Sequence, residues 1–265
     1  NAFPSIFEGR YLTGIAAGMK LNEMIENGEI TEDEAVLGYV GAYTYAEVVS
    51  GYTSFYLGAK SVCPSAKMLV EFIGSWGDPA MEATTAEHLI DQGAVVISQH
   101  SDSTTPATKC QEKGVYHIGY NIDMSDVAPE ASIVSSTIDW TNYFVYVIET
   151  IVNGGTVDQD YMNHGIKEGD IKLTALNEEV AAAGTAEAIE AAKQDIVDGK
   201  LHVFDTSTFT VGGKEVTEAY LDMNADFTPD DVNAISDGYY HESVYKSAPN
   251  FDLRIDGITL VNEAY

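Results

Sequence analysis

A strand–helix–strand unit, in which both strands end in polar residues, constrains the fold more than any other stretch of this sequence. The apolar runs at residues 94–97 and 114–118 have the length of buried strands, and a short helix that begins near Pro106 separates them. Two strands joined by a helix pair in parallel. In open parallel sheets, ligands bind beyond the carboxyl ends of the strands, so a site is expected there.

The same alternation of strands and helices runs through the first half of the chain. Helical patterns lie before, between and after five strand-like apolar runs, at residues 36–42, 67–73, 94–97, 114–118 and 133–136. Thr44 and Glu47 have the spacing of a capping box at the start of the helix after the first strand. The sequence therefore predicts an α/β fold with an open, doubly wound parallel sheet, for which we take the strand order 2-1-3-4-5.

Whether the two cysteines can form a disulfide depends on this topology. In the strand order 2-1-3-4-5, right-handed crossovers place the helix after the first strand on the opposite face from the helices after the second and third strands. Cys63 ends the helix after the first strand, and Cys110 lies on the helix after the third. Because a disulfide needs Cα atoms within about 7 Å of each other, we expect two free thiols.

The second half of the chain has a weaker pattern. A helix is predicted over residues 182–198, and Leu201–Phe204 is predicted to be a strand. The pairs Gly212-Gly213 and Asp256-Gly257, each between strand-like residues, are typical of two-residue hairpin turns. We therefore divide the chain into an α/β ligand-binding domain, residues 1–155, and a smaller C-terminal part with hairpins and a helix, residues 156–265.

The composition argues against two classes of function. The net charge is −29, from 42 acidic and 13 basic residues, whereas nucleic-acid binding requires a basic face. No run approaches the roughly 18 consecutive apolar residues that a membrane-spanning helix requires. The excess of acidic residues is typical of a solvated surface that keeps a protein soluble.

Polar and aromatic residues follow the strands where a ligand is expected to bind. Trp76, between glycines after the second strand, offers an indole face on which a planar ligand can stack. His100 and Asp102 follow the third strand, and Asn121 and Asp123 follow the fourth. Each also has a structural interpretation, as a core tryptophan, a helix cap or a turn residue. Their convergence on one edge favours a ligand with hydroxyl groups or ring nitrogens.

Patterns for catalysis and for metal binding have less support. The sequence has no Gly-x-Ser-x-Gly nucleophile elbow and no Gly-x-x-x-x-Gly-Lys phosphate loop. His100, Asp102 and Asp123 are possible ligands of a divalent ion, but no helical His pair or Cys set accompanies them. The run from Asp222 starts like a calcium loop, but it has Phe227 at the sixth position, where that loop has Gly. We therefore expect neither a metal ion nor a cofactor.

Six motifs carry a resemblance to a known family. They span roughly residues 3–155, continue weakly to residues 202–204, and are Phe7–Gly18, Val36–Gly41, Gly58–Val62, Gly74–Ala80, Ile97–Asp102 and Ile118–Met124. In this order and spacing they resemble the BMP (basic membrane protein) family, the substrate-binding lipoproteins of ABC importers for nucleosides and purines. The resemblance implies a type I periplasmic-binding-protein fold, in which two lobes close on a purine ring and acidic residues contact the ribose.

The resemblance also assigns residues and partners. By motif position, Trp76 is the stacking aromatic of this lobe, and Asn121 and Asp123 contact the ligand. Neighbouring motifs add His100, Asp102, Asp139 and Trp140. The Trp and His-Ser-Asp forms of the motifs are more similar to the branch associated with free purine bases, but base and nucleoside both stay open. The resemblance further implies a binding protein without catalysis, extracytoplasmic and lipid-anchored, that delivers its ligand to an ABC permease.

The sequence departs from the family before Phe7, where the family has a first-lobe segment on the order of one hundred residues. Residues 156–265 would then return to a largely missing first lobe, which a missing N-terminal segment or a companion polypeptide would supply. Residues 1–3 lack the basic region and apolar core of a signal peptide. Two alternative functions stay open: a nucleoside-processing enzyme and a ligand-sensing extracellular receptor domain.

Overall fold

The computed structural model describes residues 1–224, 226 and 228–265, so Phe227 of the calcium-like run lies outside the described residues. The helices of the described chain are α1 (Ile6–Glu26), α2 (Ala46–Val62), α3 (Pro79–Asp91), α4 (Thr105–Lys113), α5 (Thr141–Val152) and α6 (Thr185–Val197). The strands are β1 (Val36–Gly41), β2 (Lys67–Phe72), β3 (Val96–Gln99), β4 (Tyr116–Tyr120), β5 (Ser132–Ile138), β6 (Ile171–Leu173), β7 (Ile235–Ser236), β8 (Tyr239–Tyr240) and β9 (Ile258–Leu260).

One sheet organises the fold. Over the described residues it has seven strands in the order β6-β5-β4-β3-β1-β2-β9. Strands β1 to β5 pair in parallel, β9 joins β2 in parallel, and β6 pairs with β5 in antiparallel fashion. The predicted doubly wound sheet with the order 2-1-3-4-5 is therefore confirmed. The parallel pairing brings the carboxyl ends of β1 to β5 to one side of the sheet, which we call the carboxyl edge.

Helices cover both faces of the sheet, because alternate residues of each central strand point in opposite directions. In β3, for example, Val96 belongs to the core beneath α1 and α2, and Ile97 belongs to the core beneath α3 and α4. Helix α6 packs against α1. Cys63 lies in the first of these cores and Cys110 in the second, and both thiols are free, as predicted from the topology.

The C-terminal half contains the predicted helix, as α6, but its strands differ from the prediction. Leu201–Phe204 is not a strand, because Phe204 instead turns into the core and stacks on Phe251. The turn at Gly212-Gly213 is present, but it is closed only by an isolated bridge between the residues on either side of it. A hairpin does form between β7 and β8, at Asp237-Gly238, where both residues have positive φ angles.

The predicted hairpin at Asp256-Gly257 is wrong. Residues 252–255 are not a strand, and β9, which follows the turn, pairs in parallel with β2 far away in the sequence. The open edge of β2 offers unpaired N–H and C=O groups, which β9 satisfies. A local turn signal cannot reveal such a partner, because the pairing depends on which strand edge the fold leaves open.

Candidate functional site

The segments that follow β1 to β5 emerge together at the carboxyl edge. The strand order places the segment after β5 at one end of this edge and the segment after β2 at the other. A hydrogen bond of 2.7 Å from the backbone N–H of Asp102 to the carbonyl of Trp76 joins the segments that follow β3 and β2. The edge therefore brings two of the predicted site residues into direct backbone contact.

Three aromatic side chains form a cluster at the β1–β2 end of the edge. Trp76 is half-buried, and its ring lies 5.7 Å from that of Tyr43 at an interplanar angle of 60°. Tyr43 stacks on Tyr45 with 5.0 Å between the ring centroids, and Tyr45 is 45% exposed. We call Tyr43, Tyr45 and Trp76 the aromatic cluster. Of these three residues, only Trp76 was a predicted site residue, although the two tyrosines that closely follow β1 are a pattern visible in the sequence.

His100 lies beneath the surface of the carboxyl edge. Its side chain is wholly buried, its ring packs 4.3 Å from that of Tyr120, and its Nδ1 atom lies 3.2 Å from the hydroxyl of Tyr39. Its Nε2 atom lies 3.6 Å from Oε1 of Glu47, which is longer than a hydrogen bond. Burial lowers the pKa of His100, since it disfavours the charged imidazolium, and the nearby Glu47 carboxylate opposes this shift.

Asp102 and Asn121 meet at the surface of the edge. Asn121 adopts a left-handed backbone conformation with φ of 66°, and its side chain lies close enough to the Asp102 carboxylate to lower the pKa of that group. Partial burial raises the pKa of Asp102, with the Glu47 carboxylate as a further cause, while His100 and Asn121 lower it. The exits of β3 and β4 thus present a carboxylate and an amide side by side, which together offer hydrogen-bond acceptors and donors.

The other predicted site residues are held by local contacts. The Asp123 carboxylate accepts hydrogen bonds from the backbone and side chain of Ser125 at 2.9 and 2.6 Å, which makes a turn. Asp139 pairs with Lys172 and accepts from the N–H of Thr141 at the start of α5; both contacts lower its pKa. Trp140 is half-buried, next to Asp139. In the described chain, we find no direct contact from these residues to the Asp102–Asn121 pair.

Glu47 lies at the carboxyl edge, whereas the sequence predicted for it only a role in a capping box with Thr44. The predicted capping box does not form, because the Oγ1 atom of Thr44 accepts a 2.8 Å hydrogen bond from the N–H of Ala264 instead. The Glu47 carboxylate, in the first turn of α2, faces His100, and its side chain is 27% exposed. The carboxyl edge therefore has an additional acceptor group, two residues after Tyr45 and close enough to Asp102 to raise the pKa of that carboxyl.

Arg10 was also missed by the sequence analysis. It projects from α1, is wholly buried, and donates to the Gly119 carbonyl at 3.0 Å and to the side chains of Ser98 and Ser136. It donates to the Tyr39 hydroxyl as well. One guanidinium group thus ties β1, β3, β4 and β5 together just beneath the carboxyl edge. No described residue forms an ion pair with it.

The chemistry of the edge is that of a binding surface. Its aromatic cluster can stack on a planar ring, and the carboxylates of Glu47 and Asp102 can accept hydrogen bonds from it. In residues 1–224, 226 and 228–265, no three His, Cys, Asp or Glu side chains are arranged to hold a metal ion, and no helix is long and apolar enough to cross a membrane. Cavities of about 480, 440 and 460 Å³ lie elsewhere, beside α1, α6 and the C-terminal half.

Known proteins resemble this chain over much of its length. The Bmp family, described as ABC transporter substrate-binding protein PnrA-like, matches residues 5–204. A purine-binding protein of Brucella abortus is 34% identical over 167 residues, which cover 63% of this chain and 44% of that protein. A Haloferax volcanii protein, named as an ABC transporter glucose-binding protein, is 31% identical over 204 residues, or 77% of this chain and 49% of that protein. The chain thus spans about half the length of these relatives.

Solved structures share the fold. The ABC transporter solute-binding protein of Aeropyrum pernix K1 superposes with a TM-score of 0.59 at 19% sequence identity, over 77% of this chain and 65% of that one. This similarity confirms the periplasmic-binding-protein fold. The family match covers most of the chain and includes all six motifs on which the resemblance rested. The chain therefore belongs to the Bmp family of PnrA-like ABC transporter substrate-binding proteins.

Proposed function

We propose that this chain is the ligand-recognition part of an extracytoplasmic binding protein that captures a purine base or a nucleoside for an ABC permease. The observation that carries this proposal is the aromatic cluster next to the Asp102–Asn121 pair at the carboxyl edge. Stacking of a base on an aromatic ring contributes about 1 to 3 kcal/mol. The carboxylate and amide add directional hydrogen bonds to ring nitrogens or to a ribose diol.

The relatives support two classes of ligand. One is named for purine binding and another for glucose binding. A sugar also has hydroxyl groups for the carboxylates and an apolar face for an aromatic ring, so it is the second candidate. We favour a purine because three aromatic rings gather at one end of the edge. Both classes belong in the first binding experiment.

A second half of the binding protein completes the cleft in this proposal. The matched relatives are about twice as long as the aligned part of this chain. Helix α5, which follows β5 at the carboxyl edge, has no buried residue, and its Phe144 and Ile148 side chains are 57% and 60% exposed. An apolar helix face of this kind is normally covered. A further segment of the same protein, or a companion polypeptide, would cover α5 and face the carboxyl edge.

Ligand release to a permease requires that the protein bind the ligand without transforming it. His100 is hydrogen-bonded to Tyr39 and wholly buried, so it does not act as an exposed base. Closure of the two halves on the ligand would signal the loaded state to the permease. In the intact protein, a lipid anchor would hold this assembly at the outer face of the membrane.

Calorimetric and saturation-transfer NMR titrations of the chain with adenine, hypoxanthine, adenosine, inosine and glucose test the proposal. We expect saturable purine binding, weakened at least tenfold by Trp76→Ala and unchanged by Tyr220→Ala, which removes an exposed tyrosine outside the carboxyl edge. Binding of glucose but of none of the purines would make a sugar the proposed ligand. Release of free base from adenosine or inosine would contradict the absence of catalysis, and equal affinities of both variants would remove Trp76 from the site.

A further inference from the structure

A relay of side chains runs from the buried interior to the carboxyl edge. The Nη2 atom of Arg10 donates to the Tyr39 hydroxyl at 3.1 Å, and that hydroxyl lies 3.2 Å from Nδ1 of His100. The Nε2 atom of His100 faces Oε1 of Glu47 at 3.6 Å. Arg10, Tyr39 and His100 are wholly buried, whereas the Glu47 side chain is partly exposed. Of these four residues, only Glu47 can reach a ligand directly.

The hydrogen bonds of the relay fix the position of the ring proton on His100. A guanidinium group can only donate, so the Tyr39 oxygen accepts from Arg10. Among the described residues, that oxygen has hydrogen-bond partners only in Arg10 and His100, so its own proton points to Nδ1 of His100. Nδ1 must then accept, and the ring proton lies on Nε2, directed at Glu47.

The surroundings of His100 favour its neutral form. The groups that face it are Arg10 from α1, Tyr39 from β1, Tyr120 from β4, the Glu47 carboxylate from α2 and Asp102 from the segment after β3. Burial and the Arg10 charge lower its pKa, and the two carboxylates act in the opposite direction. Helix α2 approaches the ring at Gly51, where a Cβ atom would collide with the imidazole. The ring therefore has a fixed place and a single favoured tautomer.

The relay is incomplete at its last step. Within the described chain, the buried Nε2 atom of His100 has no hydrogen-bond partner, and an unpaired buried donor is unfavourable. A small rotation of the Glu47 side chain would bring one of its oxygens to Nε2 and leave the other free at the surface. Glu47 follows Tyr45 of the aromatic cluster by two residues, and its carboxylate raises the pKa of Asp102, so it borders both groups at the carboxyl edge.

We propose that Glu47 is a specificity-determining ligand contact, that His100 orients it, and that Arg10 and Tyr39 are positioning residues which act through His100. This inference rests on the proposed function and names the ligand class more closely. An ionised carboxylate only accepts hydrogen bonds, so it selects purines with a ring N–H on the edge that faces it. On the six-membered ring, hypoxanthine has such a donor at N1, whereas adenine has a lone pair at N1, which a carboxylate repels; the imidazole N–H is common to both bases.

The state of His100 can be tested without a ligand. Long-range ¹H–¹⁵N NMR spectra of the uniformly labelled chain distinguish the two neutral tautomers and the imidazolium. We expect the Nε2–H form to be the only neutral tautomer at pH 8, and a mixture of tautomers in Tyr39→Phe, which removes the hydroxyl that donates to Nδ1. An Nδ1–H tautomer or an imidazolium in the unaltered chain would overturn the relay, and so would an unchanged tautomer in Tyr39→Phe.

The role of Glu47 is tested by selectivity. We expect the unaltered chain to bind hypoxanthine at least tenfold more tightly than adenine in calorimetric titrations. Glu47→Gln should reduce this ratio at least tenfold, and Tyr39→Phe should reduce it by about threefold to tenfold. Glu187→Gln, a matched change in the first turn of α6, should leave the ratio unchanged. A purely structural role would lower both affinities together and leave their ratio intact.

The outcomes separate this inference from the proposed function. Purine binding with the same hypoxanthine-to-adenine ratio in Glu47→Gln would overturn the role of Glu47 and leave the proposed function standing. Binding of glucose without binding of any purine would overturn the purine as the proposed ligand and, with it, the selectivity. The NMR spectra of His100 would still decide whether the relay holds the tautomer.

Discussion

The two halves of this chain are built in different ways. Residues 36–152 repeat strand and helix, and most of their backbone groups bond within the sheet or within helices. Residues 156–265 have little regular structure in their described part, and carboxylates bind much of their backbone. Asp256, for example, accepts from the N–H groups of Gly212 and Gly213, and Glu242 accepts from those of Asn250 and Phe251.

The difference shows how an irregular segment can be ordered. The same residues, 156–265, contain 22 of the 42 acidic residues of the chain. Carboxylates are acceptors that can satisfy several donors at once, so they replace the partners that a strand or helix would supply. We therefore expect packing to hold the two halves together and pH to act through the buried carboxylates that bind the C-terminal backbone.

The largest expected effect tests whether the halves unfold together. Phe251 is wholly buried, stacks on Phe204 at 4.2 Å, and belongs to the same core as Leu12 of α1 and Phe55 of α2. Phe251→Ala should lower the free energy of unfolding by about 3 to 5 kcal/mol, since it leaves a cavity in this shared core. Urea denaturation monitored by circular dichroism and by tryptophan fluorescence should show one coincident transition.

The exposed Phe144 on α5 supplies a matched control for this substitution. Phe144→Ala removes the same group from a surface, so it should change the free energy of unfolding by less than about 0.5 kcal/mol. Two separate transitions in the Phe251→Ala chain, with the sheet half unfolding at the original urea concentration, would show that the C-terminal half is an independent unit.

Two glutamates with raised pKa values give the next largest effect. Glu242 and Glu8 bind backbone N–H groups of the C-terminal half, and burial raises the pKa of each to about 7 from the ordinary 4.5. Because the folded pKa lies above the unfolded pKa, folding is favoured below pH 4.5, and this contribution is lost as the pH rises to 7. The ionisation of each group should therefore lower the free energy of unfolding by about 3 kcal/mol between pH 4.5 and pH 7.

Urea denaturation at pH 5, 6, 7 and 8 in 1 M salt measures this effect, since salt screens the repulsion among exposed carboxylates. We expect the free energy of unfolding to fall from pH 5 to pH 7. Glu242→Gln cannot ionise, so it should remove part of the slope, while Glu187→Gln on the surface should keep all of it. A free energy of unfolding that rises between pH 5 and 7 in the unaltered chain would contradict the raised pKa values of Glu8 and Glu242.

How much the sequence predicts also differs between the halves. The sheet and its strand order were predictable because each strand and each helix shows its pattern of apolar residues within a short stretch of sequence. The pairing of β9 with β2 was not predictable, since the paired residues of the two strands are about 190 positions apart in the sequence. The same limit applies at the site. The positions of Trp76, His100 and Asp102 after strands of the sheet were predictable. The position of Glu47 was not, because the N–H of Ala264 donates to the Thr44 hydroxyl and the predicted capping box does not form.

The smallest expected effect compares one local carboxylate from each half. Asp78 accepts hydrogen bonds of 3.1 Å from the N–H groups of Ala80 and Met81 at the start of α3, and Asp205 accepts from Ser207 within a turn. Asp78→Ala should cost about 1 kcal/mol, because it leaves helix N–H groups without a partner. Asp205→Ala should cost less, since water can reach the exposed turn. Urea denaturation of the two variants side by side measures the difference. A larger loss for Asp205→Ala would mean that even the exposed carboxylates of the C-terminal half hold its backbone in place.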